Sequence, residues 1–191
     1  MFIRSERLFL RPGWPEDWEE LHALIGDEAV VRNLARAPWP YSPEHARSFL
    51  AQPREGRLPR FLITLPGAKG ARLVGCVGLT RGEAGAGAPA ELGYWIARPC
   101  WGQGYATEAA SAVIGLARTL GHRQLVANHF ADNPASGRVL AKLGFRPTGE
   151  VRPRYSLGRG GEAPALAYER ALGGPCDCDD EPCDDAMREV A

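Results

Sequence analysis

Residues 91–117 read ELGYWIARPCWGQGYATEAASAVIGLA. The run over residues 92–97 has the length and apolar composition of a strand, and Pro99 ends it because proline cannot donate a hydrogen bond to a sheet. From Tyr105 onward, apolar residues recur at helical spacing. The stretch therefore predicts a strand that passes through a glycine loop directly into an amphipathic helix.

The glycine loop is suited to hold an anion. Gly102 and Gly104 carry no side chain that would block a ligand, and the first N–H groups of the helix have no partner inside it. Together with the helix dipole, these donors favour a phosphate or pyrophosphate. The loop lacks the Gly-Lys-Ser/Thr of a nucleotide-hydrolase loop, and Thr107 stands where a dinucleotide fingerprint needs Gly or Ala. A strand, turn and helix without any ligand stays open as the alternative.

Two motifs carry a family resemblance. The loop WGQGYATEA resembles the coenzyme A loop of the GNAT N-acetyltransferase superfamily, Gln/Arg-x-x-Gly-x-Gly/Ala, and Gly104 and Ala106 match it. Trp101 stands at the first position, a variation similar to the branch that acetylates alanine or serine at ribosomal-protein N-termini. The stretch NPASGRVLAKLGF, residues 133–145, resembles the family's Asn-x-x-Ser, short helix and Lys-x-Gly-Phe signature. The resemblance covers about residues 4–172.

Length and composition fit one globular domain. The chain has 191 residues, of which 45% are hydrophobic. No stretch approaches the roughly 18 uninterrupted apolar residues of a membrane helix. The N-terminus MFIRSERLFLRP interrupts its apolar residues with charges and is not typical of a signal peptide. We therefore expect a cytoplasmic protein with no membrane partner.

Charge divides the chain at Gly173. From that residue onward seven acidic residues and one arginine give a charge of −6, so residues 1–172 carry +6 within a formal net charge of zero. This predicts a basic domain over residues 1–172 and a disordered, acidic, cysteine-containing tail over residues 173–191. The basic domain favours an anionic partner such as the phosphates of coenzyme A; RNA or a ribosomal surface is compatible with its charge, but nucleic acid is not the expected partner. No metal is predicted, because the spacing of the tail cysteines matches no standard zinc site.

The remaining sequence predicts an α/β (α+β) fold. Further strands are expected at residues 7–11, 61–65, 73–79, 125–130, 145–151 and 165–170. Further helices are expected at residues 15–25, from residue 43 and at residues 136–142. The strand at residues 125–130 should run parallel to that at 91–97, because a helix lies between them. With the resemblance, this implies a single GNAT-like domain: a mixed, mostly antiparallel sheet of about six to seven strands with a splayed parallel pair, flanked by about four helices.

The resemblance implies an acyltransferase that uses acetyl-CoA as a co-substrate. The pantetheine arm would lie along the edge of the strand at residues 91–97, and the pyrophosphate would lie on the glycine loop. The residues predicted to contact coenzyme A are Trp95, Ile96, Ala97, Trp101, Gly102, Gln103, Gly104, Tyr105, Ala106, Thr107, Asn133 and Ser136. A direct reaction in a ternary complex is expected, because Cys100 has no nearby histidine to activate it.

Two residues are predicted to move protons. Attack of an amine on a thioester needs a base, or a water relay, for the amine proton and an acid near the departing thiolate. Glu91 is the only carboxylate on the central strand and is the predicted base; its alternative is a structural role at the end of the strand. Many members of the family carry a tyrosine acid where Leu140 stands, so Ser136 is the predicted substitute, ahead of Tyr94 and Tyr105.

The acceptor is expected to be a primary amine. Either a protein N-terminus or a small molecule (an antibiotic, an amino acid or a polyamine) is compatible with the motifs. Residues 38–41, Pro-Trp-Pro-Tyr, either pack against the sheet or form a wall of the acceptor site. A non-catalytic acyl-CoA-binding module is the alternative from another class of protein, and a homodimer stays open.

Overall fold

The computed structural model of the chain describes residues 1–53, 55–68, 70–82 and 87–173. The described residues form eight strands: β1 (Ile3–Arg4), β2 (Phe9–Arg11), β3 (Arg60–Leu65), β4 (Arg72–Thr80), β5 (Ala90–Ile96), β6 (Gln124–Phe130), β7 (Arg146–Ser156) and β8 (Gly161–Ala171). They also form five α-helices: α1 (Trp18–Ile25), α2 (Glu28–Val31), α3 (Pro43–Ala51), α4 (Tyr105–Thr119) and α5 (Pro134–Lys142). Two 3₁₀ turns, Pro15–Asp17 and Arg98–Cys100, precede α1 and follow β5.

The strands form one sheet in the order β1-β2-β3-β4-β5-β6-β8-β7. Every neighbouring pair is antiparallel except β5 and β6, which are parallel and joined through α4. The predicted mixed, mostly antiparallel sheet with one parallel pair is therefore confirmed. The eight strands and five helices of the described residues exceed the six to seven strands and four helices expected.

Apolar residues on β5 alternate between the two faces of the sheet. Leu92 and Ile96 belong to a core cluster that includes α4 and α5, whereas Trp95 and Ala97 belong to a second cluster with α1 and α3. This alternation follows from the period of two along a strand. Both faces of the sheet are therefore covered, and a side chain on β5 reaches one layer of helices or the other.

The differences from the predicted elements have local causes. Residues 7–11 were expected to form one strand, but the strand is only Phe9–Arg11, and the short β1 lies outside it. The four-residue helix α2 was not predicted; its first turn is held by Asp27, whose side chain accepts a hydrogen bond from the Ala29 N–H at 2.9 Å.

The two closing strands are longer than predicted, and each continues through a proline. Pro153 lies on β7, the edge strand, where one side of the backbone needs no donor. Pro164 lies on β8 beyond the last β6 pair, Phe130↔Ala165. The chain then passes Leu172, which is buried and donates its N–H to the Arg123 carbonyl at 2.8 Å. The predicted acidic tail lies outside the described residues, apart from Gly173.

Candidate active site

The gap between β5 and β6 is the centre of the site. The two strands pair at Ala90↔Leu125 and Glu91↔Val126, and the register between them ends there. Beyond this point the strands are parted, and the edge of β5 that faces β6 has no strand beside it. A parted parallel pair leaves main-chain donors and acceptors available to a ligand.

The direction of the main chain decides which β5 residues face this gap. The Ala97 N–H donates to the Val74 carbonyl of β4 at 2.9 Å, and bonding direction alternates along an antiparallel pair. Trp95 therefore also bonds towards β4, whereas Tyr94 and Ile96 direct their N–H and C=O groups into the gap. The main chain of Trp95 and Ala97, predicted to contact coenzyme A, is therefore directed towards β4, and the main chain that faces the gap is that of Tyr94 and Ile96.

The glycine loop leads from β5 into α4 as predicted. Gly102 has φ 75° and Gly104, which immediately precedes the helix, has φ 80°. This left-handed backbone is strained for residues with a Cβ atom. The hydrogen bonds among the described residues use none of the N–H groups of residues 102–107. The loop therefore presents a set of unpaired donors at the positive end of a 15-residue helix.

The outer side of the loop is fixed by Arg7 and Glu108. Arg7 donates from Nη1 to the Gln103 carbonyl at 3.0 Å, and from Nε and its backbone N–H to Glu108 at 2.8 and 2.7 Å. The Ser5 hydroxyl donates to the same carboxylate at 2.7 Å. Although burial acts to raise it, these hydrogen bonds hold the pKa of Glu108 below its usual range. These contacts of Arg7 and Ser5 fix the conformation of the loop in the absence of a ligand.

Trp101 occupies the edge of the gap. Its indole N–H donates to the Ile96 carbonyl at 2.6 Å, while the residue as a whole is 46% exposed. The carbonyl of Ile96 is therefore partly used by the protein itself. Trp101 thus lies at the lip of the gap, between the β5 edge and the glycine loop.

The gap opens into a cavity of about 820 Å³. The predicted residues that line it are Glu91, Trp95, Ile96, Trp101, Gly102, Gly104, Tyr105, Ala106, Thr107, Asn133 and Ser136. Two predicted residues do not line it. Ala97 is fully buried beneath the sheet, and Gln103 is exposed on the outside of the loop, where its carbonyl bonds Arg7.

Glu91 lies at the base of the cavity and is only 7% exposed. Its Oε1 accepts from Arg154 Nη1 at 2.6 Å and from Asn128 Nδ2 at 3.3 Å, and its Oε2 accepts from Arg154 Nη2 at 3.0 Å. A carboxylate offers about four acceptor positions. The described residues therefore leave one position, on Oε2, for a further donor.

A second carboxylate, that of Asp132, lies at the exposed rim of the cavity, on the same side of the gap as Glu91. Asp132 accepts from both terminal nitrogens of Arg159 at 2.8 and 2.9 Å and from Arg32 Nη2 at 2.9 Å. Hydrogen bonding to Arg159 holds the pKa of Asp132 below its usual range. We call Arg32, Glu91, Asn128, Asp132 and Arg154 the charged side of the gap.

The opposite side of the gap carries uncharged hydroxyl groups. Tyr94 and Ser136 share a hydrogen bond of 2.9 Å between their hydroxyl oxygens, and the Tyr94 hydroxyl also donates to the Ser136 carbonyl at 3.2 Å. Burial raises the pKa of Tyr94 to about 12, so the phenol stays protonated near neutral pH. Leu140, at the family's tyrosine position, is a buried core residue.

His129 and Tyr168 lie behind this pair. The His129 Nδ1 is 2.8 Å from the Phe130 carbonyl, which can only accept, so Nδ1 carries a proton and Nε2 faces the Tyr168 hydroxyl at 3.4 Å. A Cβ on the helical Gly137 would lie 2.8 Å from His129 Nε2. The glycine, which costs helix stability, thus permits the imidazole to approach α5. We call Tyr94, His129, Ser136 and Tyr168 the hydroxyl side of the gap.

Asn133 has a structural part in the site. Its side-chain oxygen accepts the Ser136 N–H at 3.3 Å and caps α5, so it is already used in orienting Ser136. Its side-chain amide nitrogen has no partner among the described residues and is available to a ligand.

Residues 38–41 were predicted either to pack against the sheet or to form a wall of the acceptor site. Tyr41 is buried in the core cluster with α1 and α3, whereas Trp39 is 40% exposed and does not line the cavity. The wall beside the charged side is formed instead by residues 30 and 32–35, at the end of α2. The idea that residues 38–41 form this wall is therefore wrong.

The predicted site lacks four cationic residues that line the cavity: Arg32, Arg138, Lys142 and Arg154. Arg138 and Lys142 are exposed, line the cavity and lie four residues apart on α5, without an ion pair among the described residues. Helical spacing after Asn133 could have placed them on one face. Arg154 had no comparable signal, because its partner Glu91 lies 63 residues away in sequence.

Two searches of the described residues gave negative results. No group of three or more His, Cys, Asp or Glu side chains in this part of the chain is arranged to hold a metal ion. In the same residues, no helix combines the length and hydropathy that crossing a bilayer requires.

The sequence of the chain is similar to a known protein family and to a curated relative. Residues 7–146 match the family model described as an acetyltransferase (GNAT) domain. YoaA, an N-acetyltransferase of Bacillus subtilis (strain 168), is 32% identical over 155 residues, which cover 78% of this chain and 85% of YoaA.

Solved structures share the fold. A GNAT-family acetyltransferase from Bacillus anthracis aligns with a TM-score of 0.75 and 24% identity, covering 90% of this chain and 98% of its own. The microcin C7 self-immunity acetyltransferase MccE, in complex with acetyl-CoA and AMP, aligns with a TM-score of 0.73 and 19% identity. The alignment covers 88% of this chain and 94% of MccE. The ribosomal α-N-protein acetyltransferase RimL, in complex with coenzyme A, aligns with a TM-score of 0.72 and 22% identity. The alignment covers 90% of this chain and 98% of RimL.

Proposed function

Because this chain belongs to the GNAT acetyltransferase family, we propose that it transfers the acetyl group of acetyl-CoA to a primary amine held in the same cavity. The observation that carries the proposal is the continuity of three features. The parted strands, the loop of unpaired N–H groups and the buried carboxylate Glu91 all line one cavity of about 820 Å³. A thioester cofactor and an amine can meet there only across the gap.

Coenzyme A fits the residues that line the cavity. The N–H groups of residues 102–107 suit the pyrophosphate, and Arg138 and Lys142 add positive charge beside them. The main chain of Tyr94 and Ile96 offers a strand edge to the amide groups of the pantetheine arm. When bound, the thioester supplies an activated acetyl group; all other steps belong to residues of this chain.

Glu91 receives the proton of the attacking amine in this proposal. Its Oε2 has the remaining acceptor position, and it is buried at the base of the cavity. Arg154 donates a hydrogen bond to each carboxylate oxygen and thereby fixes the orientation of the remaining acceptor position of Glu91. Glu91 is thus the proposed base, directly or through one water, and Arg154 is a positioning residue.

Ser136 protonates the departing sulfur. When Tyr94 donates to Ser136 Oγ, the serine hydroxyl proton is free to point into the cavity. The N–C bond forms as the C–S bond breaks. One proton leaves the nitrogen for Glu91, and another reaches the sulfur from Ser136. Tyr94 keeps its own proton and holds the serine oxygen by hydrogen bonding; water then returns a proton to Ser136 and takes one from Glu91, so both residues regain their starting state.

The acceptor class has two candidates among the structural relatives. RimL is a ribosomal-protein N-acetyltransferase, and MccE confers immunity to microcin C7. Both share the fold at under 25% identity, so neither assigns the acceptor of this chain. A non-catalytic acyl-CoA-binding module is the competing function, and catalysis is favoured by the unused acceptor position on Glu91 facing the same cavity.

The experiment has a binding arm and a turnover arm. Gly104→Glu should weaken acetyl-CoA binding by about a hundredfold, because juxtaposed like charges in a binding site cost several kcal/mol. Gly149→Glu is the matched control, because Gly149 also has a left-handed φ, 84°, but lies on the exposed β7. Equal affinities of the two variants by calorimetry would place the phosphate site elsewhere.

In the turnover arm, protein and acetyl-CoA are mixed with a panel of N-terminal peptides and small amines, and free thiol is followed. Amine-dependent thiol release is the expected result. Tight cofactor binding without any amine-dependent release would favour the binding module.

A further inference from the structure

The carboxylates of the charged side are already paired with arginines. Glu91 is held by Arg154 through two hydrogen bonds, and Asp132 is held by Arg159 through two more. Arg32 adds a third guanidinium, so two carboxylates are surrounded by three arginines, of which Arg159 holds Asp132 from outside the cavity lining. The net charge of this wall is therefore positive, and it does not offer a free carboxylate to a polycation.

Arg32 is held in place, yet most of its guanidinium is unused. Its backbone carbonyl accepts from Arg159 Nε at 2.6 Å, and its Nη2 donates to Asp132 at 2.9 Å. No hydrogen bond among the described residues uses its Nε or Nη1. The side chain is 53% exposed, and the residue lines the cavity. Arg32 thus presents donors in a fixed fork, the arrangement that suits an oxyanion.

We propose that Arg32 binds an anionic group of the acceptor, so that the acceptor is an amine that also carries a carboxylate or a phosphate. The proposal rests on the proposed function, because it takes Glu91 as the group that receives the amine. Glu91 lies at the base of the cavity and Arg32 at its rim. The acceptor therefore enters with its amine first, and its anion stays at the rim.

This assignment separates the classes of acceptor that the motifs leave open. Amino acids, acidic peptide N-termini and amines bearing a phosphate have both groups. Polyamines and aminoglycoside antibiotics carry only positive charge, which the arginine-rich rim disfavours.

The test compares acceptors in matched pairs. One pair is an amino acid and its carboxamide; a second is a peptide with Asp near its N-terminus and the same peptide with Asn; a third is an aminoalkyl phosphate and the corresponding alcohol. The pairs also show which source of the anion the site prefers. The wild-type protein should favour the anionic member by about tenfold in affinity, the scale of a hydrogen bond to a charged group.

Arg32→Gln should remove this preference, while Asp132 keeps both bonds from Arg159. Arg36→Gln is the matched control, because Arg36 is exposed four residues further on and does not line the cavity. It should keep the preference. Rising ionic strength should reduce the preference in the wild type, because the site is half exposed.

Two measurements distinguish a failure of the proposed function from a failure of the proposed anion site. Thiol release reports on transfer, and calorimetry of acceptor binding to the complex with coenzyme A reports on the anion site. Absence of thiol release from every pair would overturn the proposed function, while the binding ratio would still decide the role of Arg32. Equal affinity for both members of every pair, or equal loss of preference in Arg32→Gln and Arg36→Gln, would overturn the anion site.

Discussion

The two sides of the gap are built from adjacent residues of the same strands, yet they differ in charge. On β6, Asn128 bonds Glu91 on the charged side, and the next residue, His129, faces Tyr168 on the hydroxyl side. Successive side chains on a strand point to opposite faces. The charged side consists of ion pairs with fixed geometry, whereas the hydroxyl side consists of hydroxyl groups and an imidazole. The alternation along β6 thus separates a side of ion pairs, which holds the proposed base Glu91, from a side of hydroxyl groups, which holds the proposed acid Ser136.

The largest effect should come from the charged side. Glu91→Gln keeps the shape of the side chain but removes the proposed proton acceptor, so kcat should fall by about a hundredfold to ten-thousandfold. Affinity for acetyl-CoA should be unchanged, because the phosphate loop lies elsewhere on the cavity wall. Steady-state kinetics and calorimetry measure the two quantities. An unchanged kcat would leave Glu91 with a structural role only.

A smaller effect is expected on the hydroxyl side. Tyr94→Phe removes the hydroxyl that bonds Ser136 and should lower kcat by about tenfold, the scale of one hydrogen bond. The folded-state pKa of Tyr94 is raised from 10.0 to about 12 by burial. Its contribution to stability is therefore full below pH 10 and is lost as the pH rises towards 12. Tyr94→Phe should flatten this alkaline loss in a series of melting temperatures.

Tyr41→Phe is the control for the effect on kcat. Burial also raises the pKa of Tyr41 to about 12, but Tyr41 lies in the other core cluster and does not line the cavity. It should flatten the alkaline limb in the same way without changing kcat. Equal losses of kcat in the two variants would remove the special role of the hydroxyl side.

The smallest effect is expected at the exposed rim. The pKa of Asp132 is lowered by its hydrogen bond to Arg159, so its contribution to stability is present above the usual pKa of 3.8 and is lost as the pH falls through the lower folded value. Asp132→Asn should flatten this acid loss only slightly, because the side chain is 46% exposed. Tyr94→Phe should leave the same acid limb unchanged. A large acid effect in Tyr94→Phe would break the separation of the two sides.

The sequence predicted those parts of the site that depend on local chemistry. A turn with left-handed glycines before a helix and a capped helix after Asn133 are set by neighbouring residues, and both lie where they were expected. The parallel direction of β5 and β6 followed from the helix between them, whereas their parting was implied by the family resemblance. The turn and the capped helix share one property: the residues that cause each of them lie within a few positions of each other.

The rest depends on contacts between distant segments. Arg154 reaches Glu91 from β7, and Arg159 reaches Asp132 from the turn after β7, with no periodic pattern to announce either pair. The bonding direction of β5 could not be read from composition, because it depends on the register with β4. Ala97 and Gln103, both predicted to contact coenzyme A, do not line the cavity, although their neighbours in sequence do.

At the rim, Asp132 joins the end of α2, the loop before α5 and the turn between β7 and β8 through Arg32 and Arg159. None of these segments belongs to β5 or β6, the two strands whose short pairing leaves the gap. With the role proposed for Arg32, exchange of one or two rim residues would change the choice of acceptor and leave the strand gap as it is.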